Sequence, residues 1–307
     1  MSYFTEDLLE SIKFRSMAPI GQSTFDDSAL LSLAYEELEL KLASDLITAR
    51  EDFFLTSERT LIFTGVSRYS VPSRAIGNAI KALFYIDQSS QAFTLKKIDV
   101  SEAYKFSNVT GTPIYFAMEG DEVTIYPTPN QSVGQIEFRF AAKPNKLVLS
   151  TDCTKITSIS TSSVASFFVN TDLTASISVG SYVDFISTNS PFKIKSYKCA
   201  VLQITSSQID VSLTSVQDGA GAVIPAVGDY VCLSGTSNIP QIPTAFHSVL
   251  AQMTAVRLLE SLGDINKLQA ARGTLEQMRR EALALVRNRV EASPDKIRPR
   301  RNLRAYL

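Results

Sequence analysis

Hydrophobic and polar positions change their rhythm several times along this chain, and each change predicts a different element. Residues 24–54 read as one long helix opened by Ser23 or Thr24, with Asp26 and Asp27 in the first turn, where carboxylates offset the positive end of the helix dipole. Its apolar residues fall in two heptad-spaced rows: Leu31, Tyr35, Leu38, Leu42, Leu46, Ala49 and Phe53, and beside them Leu33, Leu40, Ile47 and Phe54. Together they are wider than the single stripe of a surface helix. Glu36, Glu37, Glu39 and Lys41 keep a wet edge, so the helix is expected to lie between its own bundle and a second partner. Leu33, Leu40, Ile47 and Phe54 are then available to a neighbouring copy.

From Leu61 the period becomes two. Leu61-Ile62-Phe63 and Tyr69-Ser70-Val71 flank Gly65 and predict a hairpin, ended by Pro72. A second hairpin is expected where Ile114, Phe116 and Met118 alternate into Glu119-Gly120-Asp121, and Val123 and Ile125 lead out to Tyr126-Pro127-Thr128-Pro129. Ile136, Phe138 and Phe140, alternating with Glu137 and Arg139, add a further strand, so residues 59–149 read as a β-rich platform. Residues 150–238 are rich in Ser, Thr and Val and alternate in short segments between Gly, Asn, Asp and Pro, which predicts an inserted small β-barrel or sandwich. Inside it Val179-Gly180-Ser181-Tyr182-Val183-Asp184-Phe185 is echoed by Val227-Gly228-Asp229-Tyr230-Val231-Cys232-Leu233, as expected of equivalent strands.

Helices resume at Pro243, which suits a first helical turn, with Phe246, Val249, Leu250, Met253, Val256 and Leu259 as the buried stripe. Gly263 stops that helix and Asp264 caps the next, whose Leu268, Ala271, Leu275, Met278, Ala282 and Leu285 carry a heptad spacing toward residue 291. The expected class is α+β: an N-terminal helical segment (1–58) bundled with a C-terminal helical hairpin (239–292), the platform (59–149) and inserted β module (150–238) between them, and a tail (293–307).

Charge changes this picture at the C-terminus. The net charge is −1, but no Glu falls between Glu137 and Glu260 and no Arg between Arg139 and Arg257. Arg287, Arg289, Lys296, Arg298, Arg300, Arg301 and Arg304 oppose only Glu291 and Asp295. This Pro-broken segment is expected to be disordered when free and to attract an anionic partner, either an acidic protein crevice or DNA phosphate, since arginine binds both bidentately. With 307 residues the chain is long enough for two or three cores. It has no apolar run near the ~18–20 residues of a membrane span, and Met1 to Arg15 is amphipathic rather than signal-like, so it reads as soluble, unexported and without membrane contact.

Candidate chemistry is sparse. Cys153, Cys199 and Cys232 are odd in number and lack CxxC spacing, so they read as reduced core thiols rather than a disulfide framework or zinc site. His247 is the single histidine and falls near a helix start, where a packed or capping role is expected; one histidine excludes HExxH and multi-histidine metal sites. Gly219-Ala220-Gly221-Ala222 lacks the third glycine of a dinucleotide fingerprint and reads as a hairpin loop, and no Walker-type GKS or GKT occurs. Glu119, Asp121 and Glu122 cluster on a turn, where Asp and Gly serve the backbone. A hydrolase would have to use these carboxylates or His247. The expectation is no catalytic residue, no metal and no cofactor.

The order of pieces resembles the head-to-tail adaptor, or connector, proteins of tailed bacteriophages. The likeness rests on Ala49-Arg50-Glu51-Asp52-Phe53-Phe54 followed by Tyr69-Ser70-Val71-Pro72-Ser73-Arg74-Ala75-Ile76-Gly77. It continues in Gly111-Thr112-Pro113-Ile114-Tyr115-Phe116-Ala117-Met118-Glu119-Gly120-Asp121 running into Ile125-Tyr126-Pro127-Thr128-Pro129, and in Ile242-Pro243 opening the last hairpin. It covers residues 24–149 and 238–292 and leaves 150–238 aside. The resemblance implies a virion protein of the neck, made in the host cytoplasm, that forms a homo-oligomeric ring, twelvefold in similar adaptors. The ring would dock under the portal protein, carry the tail or the next ring, and let double-stranded DNA pass without sequence readout. In similar adaptors the C-terminal segment reaches the portal, which agrees with the basic tail. The alternative is a virion-surface binding module in which 150–238 recognises a neighbouring virion protein or a host glycan.

Overall fold

A helix begins where the first acidic pair can face its positive end, and α1 (Thr5–Ser16) does so with Glu6 and Asp7, the Asp7 carboxylate accepting the Phe4 N–H at 3.0 Å. The computed structural model describes residues 3–17, 25–50, 53–106, 108–161, 164–212 and 224–286. Helix α2 (Asp27–Glu37) is capped by Asp26, whose carboxylate accepts the Ala29 N–H at 2.8 Å; Ser23 and Thr24 lie outside the described residues. A π turn over Leu38–Leu42 joins it to α3 (Ala43–Ala49). The predicted helix is therefore shorter than 24–54: Arg50 is extended at φ −154°, and the Phe53 and Phe54 rings meet edge-on as the chain turns away.

The π turn has a packing reason. Ala34, Leu38, Leu42 and Leu46 are spaced by four and all have 0% exposure. Each step of four in an ideal α-helix overshoots a full turn, by roughly 40° at about 100° per residue, so four such residues would drift out of line. One wider turn takes up the excess and keeps the row on the core.

The platform follows as β1 (Leu55–Leu61), β2 (Arg68–Ser70), β3 (Ala75–Ile86), β4 (Ala92–Thr94), β5 (Lys96–Lys97), the short α4 (Val100–Ala103), β6 (Tyr115–Glu119), β7 (Glu122–Tyr126), β8 (Gln135–Ala142) and β9 (Lys146–Leu147). Two four-stranded sheets, ordered β1-β8-β3-β4 and β2-β7-β6-β5, enclose a core that includes Ile136, Phe138 and Phe140. The hairpin expected around Gly65 does not form: β1 pairs with β8 and β2 with β7, in different sheets. Distant partners outcompete the local turn, since the Ile62 N–H bonds Gly134 O at 3.3 Å and the Gly65 N–H bonds Pro129 O at 2.9 Å. The second hairpin forms as expected, with Glu119 opposite Glu122 and Gly120 at φ 65°.

Strands β10 (Cys153–Thr161), β11 (Val164–Val169), β12 (Tyr182–Ile186), β13 (Ile194–Ile204), β14 (Gln208–Ser212) and β15 (Tyr230–Leu233) close into an antiparallel barrel ordered β10-β11-β14-β13-β12-β15. The echoed segments are its neighbours β12 and β15, each following a glycine at positive φ, Gly180 and Gly228. The thiol reading is corrected for two of the three cysteines. Cys153 and Cys232 are register partners on β10 and β15, with Cα atoms 4.5 Å apart, and form a disulfide, while Cys199 is a buried thiol outside it. Gly219-Ala220-Gly221-Ala222 lies outside the described residues. Strand β16 (Thr236–Ser237) then pairs in parallel with β9, so the chain returns beside the point it left.

Helices α5 (Thr244–Leu262) and α6 (Ile265–Val286) complete the bundle, with Gly263 left-handed between them and Asp264 accepting the Lys267 N–H at 3.2 Å. All six predicted stripe residues of α5 are buried. Helix α6 is more open: Ala282 alone is fully buried among its described residues, Leu275 and Met278 are partly buried against the core, and Leu285 is exposed. No helix among the described residues is long and apolar enough to cross a membrane.

Candidate functional site

The helix formed by α2, the π turn and α3 presents two unlike faces. Leu30, Leu31, Ala34, Leu38, Leu42 and Leu46 pack into the helical core with Phe246, Leu250 and Met253. On the other side Leu33 and Ile47 are partly exposed and Leu40 is 72% exposed. These three are spaced by seven, and Leu40 is the one that the protomer leaves largely uncovered. Phe54 is not part of it: beyond the helix end, it packs half-buried against the same helical core. Ion pairs brace the inner face, with Arg279 of α6 forking onto Asp45 of α3 (Nε–Oδ2 2.7 Å) and Lys41 holding the buried Glu37 carboxylate at 2.6 Å.

The basic tail residues Arg287, Arg289, Lys296, Arg298, Arg300, Arg301 and Arg304 lie outside the described residues. The residues a hydrolase would need are not brought together. Glu119 and Glu122 hold Arg68 at 3.5 and 3.9 Å on the platform hairpin, the turn that also carries Asp121. His247 is sealed in the helical core, its Nε2 3.2 Å from Ile242 O and its ring between Tyr3 and Phe192. Burial pushes its pKa down to about 4, so it is neutral near pH 7. No cluster of His, Cys, Asp or Glu suited to a metal occurs among the described residues.

Sequence reasoning missed the joint that sets the barrel on the platform. Arg74, in the stretch leading into β3, reaches Asp184 of β12 with Nη2–Oδ2 2.6 Å. Asp184 is 0% exposed and also accepts from Asn145 Nδ2 (3.1 Å), Gly235 N (2.8 Å), Ser234 Oγ (2.8 Å) and Lys198 N (3.0 Å). The Arg74 guanidinium lies 4.9 Å above the Tyr197 ring, and Tyr197 donates its hydroxyl to Glu58 of β1 at 3.0 Å. Burial, then the Glu58 charge, raises the Tyr197 pKa and keeps it a donor. The barrel is therefore fixed in orientation rather than tethered.

The profile of the SU10 adaptor protein family matches residues 7–165, just over half of the chain, from α1 to the first residues of β11. The chain belongs to the SU10 adaptor family. This is a family of phage head–tail adaptors, structural rather than catalytic proteins. The match covers α1–α3, the whole platform and the opening of the barrel, so the two-faced helix is an element of the adaptor-like part of the chain. No curated protein matches the chain.

Proposed function

We propose that this adaptor-family protein forms a ring in the virion neck, twelvefold as in similar adaptors. The ring docks on the portal protein, carries the tail or the next neck ring, and leaves a central passage for double-stranded DNA. The observation that supports this reading is Leu40, 72% exposed and flanked at heptad spacing by the partly exposed Leu33 and Ile47, on the back of a helix whose front is buried. Covering one leucine is worth about 1.5–3 kcal/mol, and a ring repeats that gain at every subunit boundary. The basic segment from Arg287 to Arg304 is assigned to the portal side or to DNA phosphate by its charge.

Leu40→Asp tests the row. Because Leu40 is exposed in the protomer, stability changes by at most about 0.5 kcal/mol, while electron microscopy of the variant mixed with its portal shows no coaxial ring. Rings indistinguishable from those of the unaltered chain would sink the proposal. Deleting residues 293–307 is expected to leave a folded chain that no longer binds portal rings.

A second reading is favoured by the barrel wall, where Tyr182, Leu202 and Leu233 are exposed on β12, β13 and β15. It makes the barrel a binding module for a neighbouring virion protein or a host glycan.

A further inference from the structure

Strand β1 is an edge. It pairs with β8 on one side and with no described strand on the other. The register fixes which backbone groups are left over. Ala142 N bonds Phe54 O and Ile62 N bonds Gly134 O, so the even-numbered residues of the strand turn their N–H and C=O groups toward β8. Leu55, Ser57, Arg59 and Leu61 turn theirs to the open side. Long edges of this kind are normally shortened, bulged or covered, because they template a further strand.

Leu55, Ser57 and Arg59 line a cleft of about 710 Å³, whose far wall is the barrel loop from Ser187 to Lys195. Its charge is lopsided. Arg59 and Arg139 share the one Glu137 carboxylate (3.0 and 2.9 Å), Lys195 is held by Asp229 at 2.7 Å, and Lys193 is exposed at the mouth. Four cations thus face two carboxylates. At the Leu55 end the cleft runs into a small, mainly apolar pocket of about 60 Å³ lined by Phe53, Phe54, Ala142 and Ile194.

We propose that this cleft docks an extended acidic segment of a partner polypeptide, which adds to β1 as an extra antiparallel or parallel strand. Backbone groups of Leu55, Ser57 and Arg59 supply the ladder, which is indifferent to sequence. Specificity comes from alternate side chains: acidic ones meet Arg59 and Lys193, and one small aliphatic residue enters the pocket beside Phe54. The proposal concerns a single protomer and does not rest on ring formation.

The test uses the full chain without portal and a seven-residue acetylated peptide alternating valine and glutamate. Its controls are a valine–lysine counterpart and a valine–glutamate version N-methylated on alternate residues. Binding is read by fluorescence anisotropy and by amide shifts at Leu55, Ser57 and Arg59. The acidic peptide is expected to bind at least about tenfold tighter than the lysine peptide, and N-methylation in the pairing register should abolish binding. Ser57→Pro removes one outward N–H, and Lys193→Glu reverses one mouth charge; each should weaken binding about tenfold. If Ser57→Pro fails to fold, the N-methylated peptide carries the backbone test. Equal binding of acidic and lysine peptides, no binding of either, or N-methylation without effect overturns the proposal. So does a change in oligomeric state on Ser57→Pro with peptide binding unaltered, which would assign the edge to a second copy.

Discussion

The barrel is wholly antiparallel and the platform of similar size nearly so, with β5 parallel to β6, yet they treat their edges in opposite ways. The barrel closes on itself, so each of its six strands has two neighbours. The platform is two open four-stranded sheets whose outer strands are β1, β4, β2 and β5, with exposed Leu61, Phe63 and Val66 where β1 gives way to β2. Closure suits a unit that keeps its shape in water, whereas open edges suit one that is to be joined. The joint between the two units is polar and buried, and that is where the contrast can be broken.

The largest effect is expected from Arg74→Ala. It leaves the fully buried Asp184 without its cation, and removing one partner of such a pair costs about 3–5 kcal/mol. Urea unfolding should show the barrel losing its attachment before the platform melts; one unshifted cooperative transition would mean that the two units do not depend on this ion pair. Replacing Asp184 by Leu as well should not recover the loss, because Asn145 Nδ2, Gly235 N, Ser234 Oγ and Lys198 N would then lose their acceptor.

Acid is expected to act next, at the seam between the barrel and the bundle. His247 stacks on Phe192 of the barrel's β12–β13 loop, and its folded pKa is lowered to about 4 from an unfolded 6.5. Above pH 6.5 it is neutral in both states and costs nothing. As pH falls from 6.5 to 4 the unfolded chain takes up the proton and the folded one does not, so stability declines by about 3 kcal/mol and then levels off. His247→Phe should flatten that part of the stability–pH curve, which melting temperatures between pH 7 and 4 would measure.

Reducing the Cys153–Cys232 bond should matter least. Its 79-residue separation would be worth about 4–5 kcal/mol if it alone closed the loop. However, β9 and β16 already hold nearly the same loop shut, with Lys146 opposite Thr236. A loss of about 1–2 kcal/mol on reduction, read by urea unfolding with and without a thiol, is expected; the full amount would show that the β9–β16 pairing forms only after the barrel.

Where signals were local, the sequence could be read directly: the Glu119-Gly120-Asp121 turn, the α5 stripe, and Gly263 between the last helices all stand where their residues put them. The barrel was legible from its Ser, Thr and Val content. Its pairings were not, because they span the chain. Asp184 and Arg74 are 110 residues apart, and the stretch without arginine after Arg139 becomes meaningful only when Asp184 is seen taking its cation from the platform. The longest strand, β3, escaped notice because its pairing with β8 slips between Ala75 and Ala82, which breaks the period of two. The π turn escaped because rows drawn every seven residues assume a uniform helix. Of the candidate site, the exposure of Leu40 agrees with the second row expected from the spacing, but the point where the helix stops, which withdraws Phe54, was not readable.

Lys146 and Thr236 lie side by side, so a few residues of linker would suffice to splice the polypeptide across its β excursion. In the route of the backbone, then, the barrel is dispensable. Yet cutting it away would strip Tyr197 from the platform's interior, bare His247 where Phe192 had roofed it, and strand Arg74 without an anion. What is an appendix to the path is a keystone to the solid, and any shortened form must supply three new lids before it can stand.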